Sequence, residues 1–259
     1  MEVMRRLHAV LAEHAAGVTV DAFTVGLGYT AVATSDAGLG LAYTWFEDKA
    51  CCSYMRGWGA AEGLPASVLL DRLLSDDAFE RSVGVATANA LNHAFAAALP
   101  SDRSSAGALV DVLAIGQGSR VAMVGFFPPV ARALEELGAE LSVIDEGLGM
   151  GDRRTFEQQL GGRAEVLVMS GTTVLNGTTE DLLGHAGPEI RVALLGPTTP
   201  LVPEAFGHLP VRVLAGMVPR DAAAVLRAVR HGGGTPELQK FSRKDFCLCE
   251  PQTAGKVAP

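Results

Sequence analysis

The sequence is poor in cysteine and contains no long apolar run. Cysteine occurs only as Cys51, Cys52, Cys247 and Cys249 in 259 residues. Four thiols in two close pairs are too few for a disulfide framework, which predicts free thiols in a reducing compartment. No segment offers about 20 uncharged apolar residues, so we expect no membrane span. The opening MEVMRRLHAVLAEHAAG has charges or histidines throughout, which predicts an amphipathic helix rather than a secretory signal, and a soluble, cytoplasmic protein.

The chain also lacks a basic block. Its 21 Lys and Arg residues against 29 Asp and Glu residues give a formal net charge of -8. Aromatic residues do not alternate with basic ones, so the pattern argues against a nucleic-acid partner and against an anionic membrane surface. It favours a small-molecule or metal ligand, and it is compatible with a homodimer.

Most short motifs of established chemistry are missing. There is no G-x-S-x-G elbow, no P-loop, no H-E-x-x-H and no pair of histidines four residues apart. The GFFPPV segment that starts at Gly125 lacks the second and third glycines of the dinucleotide fingerprint, and its bulky residues oppose the close approach of a pyrophosphate. Glu146 follows Gly125 by about 20 residues, where a ribose-binding acid would lie. A nucleoside such as that of S-adenosylmethionine therefore stays an alternative ligand.

The composition provides a large core, with 48% hydrophobic residues and 30 glycines. Such a chain forms one large domain or two smaller ones. Residues 1–100 predict a small α+β domain with an antiparallel sheet. Its predicted elements are a helix over 2–16, strands over 22–34 and 38–45, a helix over 66–74, and a helix from a Ser-Asp-Asp cap to about residue 99.

After a predicted linker over residues 101–117, strands and helices alternate regularly. The strands are continuous Val, Ile, Leu and Met runs, as expected when helices cover both faces of a parallel sheet. Residues 118–245 therefore predict an α/β domain with a doubly wound parallel sheet, and residues 246–259 a carboxyl-terminal tail.

Small polar residues follow several predicted strands where those strands end. In doubly wound sheets, ligands bind beyond the carboxyl ends of the strands. Hydroxyl groups and free backbone amides there suit a polar or anionic ligand. The predicted ligand contacts from these strand ends are Phe126, Glu146, Thr172, Asn176, Thr178, Thr198 and Thr199. Helix capping is the competing interpretation, since Thr178 precedes an acidic pair.

Asn89 and Asn92 lie three residues apart in an otherwise apolar helix, beside His93. Residues at this spacing share a face, and a buried asparagine needs hydrogen-bond partners. This predicts a polar cluster at the domain interface, with the two asparagines as further ligand contacts. Simple exposure is the alternative.

Cys247-Leu248-Cys249 places two thiols on one face if the segment is extended. Such a pair could hold a soft metal ion, joined by Cys51 or Cys52. The flanking acidic residues would instead raise the pKa of both thiols, and buried cysteine is a common small apolar residue.

Five segments, in a fixed order, carry a family resemblance. They are RVAMVGFFPPVARAL, LSVIDEG with GMGD, AEVLVMSGTTVLNGTTEDLL, ALLGPTTPLVPEAF and VLAGMV. Together they resemble a bacterial and archaeal family of unknown function labelled "putative heavy-metal chelation", and VGLGYTAV and GLGLAYT are similar to its smaller amino-terminal domain. The matching motif positions are Gly125, Phe126, Pro128, Glu146, Gly151, Asp152, Gly171, Asn176, Gly177, Thr178, Gly196, Pro197, Thr198, Pro200 and Gly216.

The resemblance implies an enolase-amino-terminal-like α+β domain packed on a Rossmann-like domain, with a site in the cleft between them. It also implies the handling of a metal or of a metal ligand. The leading hypothesis is a protein that grips a small polar ligand, or a divalent or heavy-metal ion held by such a ligand. The predicted metal ligands are Glu146 and Asp152 in the cleft, and separately Cys247 and Cys249. The alternative is an enzyme on a small metabolite, with Glu146 or Asp152 as general base.

Overall fold

The computed structural model of the protein describes residues 1–46, 60–100 and 106–249. Two β-sheets organise these residues, one of three antiparallel strands and one of six strands. The predicted fold class, a small α+β unit followed by a Rossmann-like doubly wound sheet, is confirmed. Cys51 and Cys52, which were candidate metal ligands, lie outside the described residues.

The first unit packs helices against the three-stranded sheet. Its elements are α1 (Glu2–Ala16), β1 (Val20–Val25), β2 (Tyr29–Thr34), β3 (Leu39–Tyr43), α2 (Ala66–Leu70), α3 (Ala78–Leu91) and α4 (His93–Ala98). Helix α1 is amphipathic as predicted, because Val3, Leu7 and Leu11 recur on one buried face. None of the helices in the described ranges has the length and apolar character of a membrane span.

The single strand predicted over 22–34 is wrong, because the chain turns within it and forms two strands. The turn is Gly26-Leu27-Gly28, where the Gly26 amide donates to the Tyr29 carbonyl at 2.9 Å. A side chain at Gly26 would lie only 2.1 Å from the Val229 carbonyl oxygen of the second unit. Close packing between the two units therefore requires glycine at position 26. The local pattern of β-forming residues does not predict this requirement, because the contact is made with a distant part of the chain.

Helix α3 is buried on almost every side between the small sheet and the second unit. The Asp77 carboxylate caps its first turn, as the sequence predicts. At Gly40 of β3, a Cβ atom would lie 2.1 Å from the Ala86 carbonyl oxygen, so glycine lets the helix approach the sheet closely. The helix ends earlier than the predicted residue 99, because the chain turns at Asn92 and starts α4.

The second unit is the doubly wound sheet with helices on both faces. Its strands are β4 (Arg120–Val124), β5 (Glu140–Ile144), β6 (Val166–Ser170), β7 (Arg191–Leu195), β8 (Val211–Pro219) and β9 (Ser242–Leu248). Its helices are α5 (Ala106–Val112), α6 (Pro128–Leu137), α7 (Arg153–Gly162), α8 (Thr172–Asn176), α9 (Thr179–Gly184), α10 (Pro203–Phe206), α11 (Ala222–Arg230) and α12 (Thr235–Leu238). The strand order is β5-β4-β6-β7-β8-β9, in which only β9 runs antiparallel to its neighbour.

Strand β9 and helix α5 modify the predicted domain scheme. The predicted tail over 246–259 begins inside β9, and the predicted linker over 101–117 contains α5. The first four residues of β9 are polar, so the hydrophobic pattern of the sequence does not predict this strand. At the edge of a sheet such residues are common, because they discourage pairing with other chains.

The two units share one apolar core. Leu7 and Phe79 of the first unit belong to the same buried cluster as Leu167 and Phe206 of the second. Backbone and side-chain contacts also cross the junction, since the Tyr43 amide at the end of β3 donates to the Thr198 hydroxyl at 2.9 Å. The turn after β7 therefore lies against the first unit.

Candidate functional site

A well-formed cleft lies where the strand order of the six-stranded sheet reverses. Since β5 and β6 lie on opposite sides of β4, the turns after β4 and β6 diverge and leave a crevice between them. The cleft has a volume of about 520 Å³, within the usual range for small-molecule sites. It is lined by the ends of β4, β6, β7 and β8, by β9, and by Tyr29 of the first unit.

Apolar side chains form the floor of the cleft. Val213, Ala215 and Met217 alternate along β8 and face the cleft together with Phe246 of β9. Helix α6 adds Val130 from the opposite side. A ligand that fills this space must therefore have a substantial apolar part.

The turn after β4 closes the cleft to a pyrophosphate. Pro128 and Pro129 occupy the first two positions of α6 and carry no amide hydrogen. The Val130 amide donates to the Phe127 carbonyl at 3.0 Å, and the Phe126 amide donates to the Asp145 carboxylate at 2.8 Å. At this helix start, Pro128 and Pro129 thus provide no amide hydrogen, and the Phe126 and Val130 amides are already bonded, which supports the sequence argument against a conventional NAD site.

The turn after β6 places two hydroxyl groups in the cleft wall. Ser170 and Thr172 both line the cleft, and the Thr172 hydroxyl donates to Ser170 Oγ at 2.8 Å. The Gly171 amide between them donates to the Leu195 carbonyl. Thr172 is thus a predicted contact that the structure places in the cleft, and Ser170, the last residue of β6, lines the cleft beside it although it was not among the predicted contacts.

The turn after β7 contributes Thr198 to the cleft but directs Thr199 elsewhere. Thr198 is buried and accepts a hydrogen bond from Tyr43, so its oxygen also holds the junction together. Thr199 lines a separate cavity of about 10 Å³, where its Oγ1 atom has no hydrogen-bond partner among the described residues. A cavity of this size matches a single water molecule.

Asn89 and Asn92 line the same small cavity rather than the large cleft. The Asn89 amide donates to the Leu41 carbonyl at 2.8 Å, and the Asn92 amide donates to the Leu201 carbonyl at 2.6 Å. His93 lies 3.0 Å from the Pro219 carbonyl oxygen. These three side chains form a polar cluster between α3, the small sheet and the second unit, and ligand contact by the asparagines stays a prediction.

Asn176 is exposed and Thr178 is half-buried, and neither residue lines the cleft. The Asn176 side-chain oxygen accepts from the Thr178 amide at 3.1 Å and from the Thr178 hydroxyl at 2.7 Å. Gly177 between them has a φ of +75°, the left-handed conformation that ends α8. The geometry is that of a helix end followed by a local turn, which favours the capping interpretation of this segment.

Glu146 and Asp152 are exposed rather than directed into the cleft. The Glu146 side chain is 77% exposed and lies 3.7 Å from Arg153. Asp152 caps α7, and hydrogen bonds from Thr155 lower the pKa of its carboxyl group. At the end of β5 it is Asp145, which was not among the predicted contacts, that accepts a hydrogen bond from the amide of the cleft residue Phe126.

Cys247 and Cys249 lie on one buried face at the β9 edge of the sheet. Burial raises the pKa of each thiol from its ordinary value of 9.0 to about 12. Both side chains are therefore neutral thiols at physiological pH in the metal-free protein, and a metal ion would have to displace both protons to bind them.

The predicted metal ligands are not brought together by the fold. Glu146 and Asp152 follow β5 at one edge of the six-stranded sheet, while the cysteines lie at the opposite edge. In the described part of the chain, no group of three or more His, Cys, Asp or Glu side chains could hold a metal ion. The described side chains therefore do not fit a directly coordinated metal.

The sequence prediction also missed four polar cleft residues that come from distant parts of the chain, namely Tyr29, Thr235, Gln239 and Lys244. The Tyr29 and Thr235 hydroxyls lie 2.6 Å apart although 206 residues separate them. Burial raises the pKa of the Tyr29 phenol, so it is a neutral hydrogen-bonding group. No local motif indicates this pair, because only the tertiary fold creates it.

Two family models match the chain, and known relatives extend the match to nearly its full length. An uncharacterized protein of Methanocaldococcus jannaschii is 27% identical over 258 residues, covering 94% of this chain and 95% of that protein. A crystal structure of a DUF364-family protein of unknown function from Pyrococcus horikoshii aligns with a TM-score of 0.76 and 24% identity, covering 95% of this chain and 99% of the other. A second, from Desulfitobacterium hafniense, gives 0.74 and 20%, with coverages of 94% and 98%.

These two crystal structures show the same fold. The model named DUF4213 matches residues 8–92 and the model named DUF364 matches residues 108–247, both described as "putative heavy-metal chelation". The second match covers more than half of the chain. The protein therefore belongs to the DUF364 family, the one that its ordered sequence segments resemble.

Proposed function

We propose that the protein binds a small ligand with polar and apolar parts in the cleft at the strand-order reversal, and that any metal enters already held by that ligand. The observation that carries the proposal is the cleft itself, about 520 Å³ in volume at the carboxyl ends of four strands. Ser170, Thr172 and Thr198 offer hydroxyl groups on its walls, and Tyr29 adds a wall from the first unit.

The chemistry of the donor groups supports a metal complex over a bare ion. Cys247 and Cys249 are neutral thiols on the buried face of β9, and the exposed Glu146 has Arg153 as its neighbour. A complex that carries its own donor atoms needs only hydrogen bonds and apolar contact from the protein. This combination agrees with the description of the family without requiring a metal centre built from side chains.

The enzymatic alternative has less support from the geometry. A general base at neutral pH needs a carboxyl group with a raised pKa, whereas hydrogen bonds from Thr155 lower the pKa of Asp152. Glu146 is largely exposed and does not line the cleft. A nucleoside such as that of S-adenosylmethionine stays among the ligands to be screened, since it has no phosphate.

The test is a thermal-shift screen with small metabolites, each alone and as its copper, nickel or zinc complex. Ala215→Phe places a ring in the cleft, while Ala223→Phe adds the same ring at an exposed position of α11. A ligand at one hundred times its Kd should raise the melting temperature of the wild type and of Ala223→Phe by roughly 5 to 10 °C. Ligands that stabilise Ala215→Phe equally would place the site outside the cleft and refute the proposal.

A parallel measurement separates a bare ion from a complex. Elemental analysis of the untagged protein, purified without chelator, is compared with that of Cys247→Ser/Cys249→Ser. Stoichiometric metal that is lost in the double variant would move the site to the β9 thiols. Metal that accompanies an organic ligand and is lost in Ala215→Phe would support the proposed complex.

A further inference from the structure

Lys244 is a cleft residue whose position follows from the register of β9. Met217, Ala215 and Val213 face the cleft from β8, and β9 pairs Lys244 with Met217 and Phe246 with Ala215. Cross-strand partners share one face of a sheet, so Lys244 and Phe246 project to the same side as the cleft. The exposed Lys244 side chain therefore lies at the cleft wall, next to an apolar floor.

The neighbouring acid does not neutralise Lys244. Asp245 also borders the cleft, but alternation along β9 directs its side chain to the opposite face, where its carboxylate lies 2.5 Å from Arg243 Nε. Arg243 in turn donates to the Leu99 carbonyl at 3.0 Å beyond the end of α4. Within residues 1–46, 60–100 and 106–249, Lys244 forms no ion pair with a carboxylate.

The charge on the cleft lining is therefore positive, although the whole chain carries a net charge of -8. Among the described residues of the lining, Lys244 and Asp245 are the charged ones, and Asp245 is paired on the far face. A bare metal cation would be repelled by the Lys244 ammonium at close range. An anion would gain both attraction and a charge-assisted hydrogen bond.

The other walls restrict which anion fits. Pro128 and Pro129 remove the helix amides that hold phosphate groups, and Phe126 with Phe127 makes this end of the cleft aromatic. Ser170 Oγ and the Thr172 hydroxyl offer hydrogen bonds on the wall formed by the turn after β6. These groups suit a ligand with an apolar or aromatic body and one acidic group such as a carboxylate or a sulfonate.

We infer that the cleft selects small organic anions with an apolar body, and that Lys244 provides the counter-charge. This inference rests on the proposed function, because it names the chemical class of the ligand of the same cleft. A metal ion would then enter the cleft bound to the anionic ligand. The negative charge of the ligand would offset the positive charge of the metal ion and so reduce its repulsion by Lys244.

Two dyes that differ by one acidic group provide the test. The probes are 8-anilinonaphthalene-1-sulfonate and its uncharged counterpart N-phenyl-1-naphthylamine, titrated by fluorescence at low and high salt. Lys244→Met removes the charge and keeps the length of the side chain. Lys240→Met is the matched control, because Lys240 is 62% exposed, pairs with Glu237 and does not line the cleft.

We expect Lys244→Met to weaken binding of the sulfonate about tenfold, which corresponds to about 1.4 kcal/mol. Binding of the uncharged dye should change less than about twofold, since only the charge-assisted contact is lost. Lys240→Met should change neither dye. High salt should weaken the sulfonate in the wild type and have little effect in Lys244→Met.

Ala215→Phe locates the dyes, and Thr172→Phe fills the cleft from the opposite wall should the first variant not fold. Both dyes should lose binding in the blocked protein. If blocking removes both dyes but Lys244→Met affects them equally or not at all, the anion inference is refuted and the cleft proposal stands. If the wild type binds neither dye, or blocking leaves both unchanged, the cleft proposal fails and the inference fails with it.

Discussion

Cys247 and Cys249 should react with Ellman's reagent about a thousandfold more slowly in the folded protein than in the unfolded chain. The pKa of each thiol rises from 9.0 to about 12 on folding, and each pKa unit changes the thiolate fraction tenfold. At pH 8 about one thiol in ten is ionised in the unfolded chain, against about one in ten thousand in the folded protein. The thiolate is the reacting species, and its lower fraction slows the reaction. A thiolate of higher pKa is a better nucleophile, which offsets part of this effect, while burial of both side chains slows the reaction further.

The assay uses a Cys51→Ser/Cys52→Ser background, so that only the two β9 thiols report. Rates are measured at pH 8 in buffer and in 6 M guanidinium chloride, where the same two thiols are exposed and serve as their own control. Native rates within about tenfold of the denatured rates would refute the reasoning, because they would show that β9 opens readily or that a thiolate is stabilised. The second outcome would also revive Cys247 and Cys249 as metal ligands.

Three further predictions concern stability, each measured by guanidinium denaturation. The contribution of the two thiols to the free energy of unfolding is complete below pH 9 and falls as the pH rises from 9 towards 12, because the unfolded chain loses these protons first. The double variant Cys247→Ala/Cys249→Ala should reduce this dependence of stability on pH. An unchanged dependence would contradict the assigned cause. Gly40→Ala should destabilise the protein by about 3 kcal/mol, since the new Cβ atom would lie 2.1 Å from a carbonyl oxygen of α3. Gly28→Ala is the control and should change stability far less, because the nearest atom to its Cβ would lie at 3.7 Å. Equal effects of the two substitutions would argue against close packing of the helix on the sheet. Asn92→Ala should lower stability by about 1 to 3 kcal/mol and leave dye affinity within about twofold, so a large loss of affinity would support the predicted ligand contact instead.

The sequence predicted the parallel strands well because their signal is local. Continuous apolar runs such as Val166-Leu167-Val168-Met169 mark strands buried on both faces, and β7 (Arg191–Leu195) coincides with another run of this kind. Strand β9 has no such signal, since Ser-Arg-Lys-Asp becomes a strand only by pairing with β8. The position of β9 at the edge of the sheet is a property of the tertiary fold, and the periodicity of hydrophobic residues cannot predict it.

The candidate site was predictable in place but only partly in detail. The rule for strand ends located the cleft, and Phe126, Thr172 and Thr198 line it. Asn176 and Thr178 are small polar residues of the same kind, but they lie outside the cleft, because α8 leads the chain away from the end of β6. Local composition cannot distinguish a hydroxyl that closes a turn from one that faces a ligand. Lys244 is separated from these turns by too much sequence for any motif to connect them.

The hydrogen bond from the Tyr43 amide to the Thr198 hydroxyl has a thermodynamic consequence. Thr198 belongs both to the cleft wall and to the junction of the two units, and Tyr29 reaches the cleft from the first unit. A ligand that binds only the assembled cleft must therefore strengthen the docking of one unit on the other, and by reciprocity a loosened junction must weaken the ligand by the same free energy. Ligand binding and the docking of the two units are thus coupled by one free energy. A ligand should therefore slow amide hydrogen exchange at the ends of β3 and β7, and this can be measured even for a ligand of unknown identity.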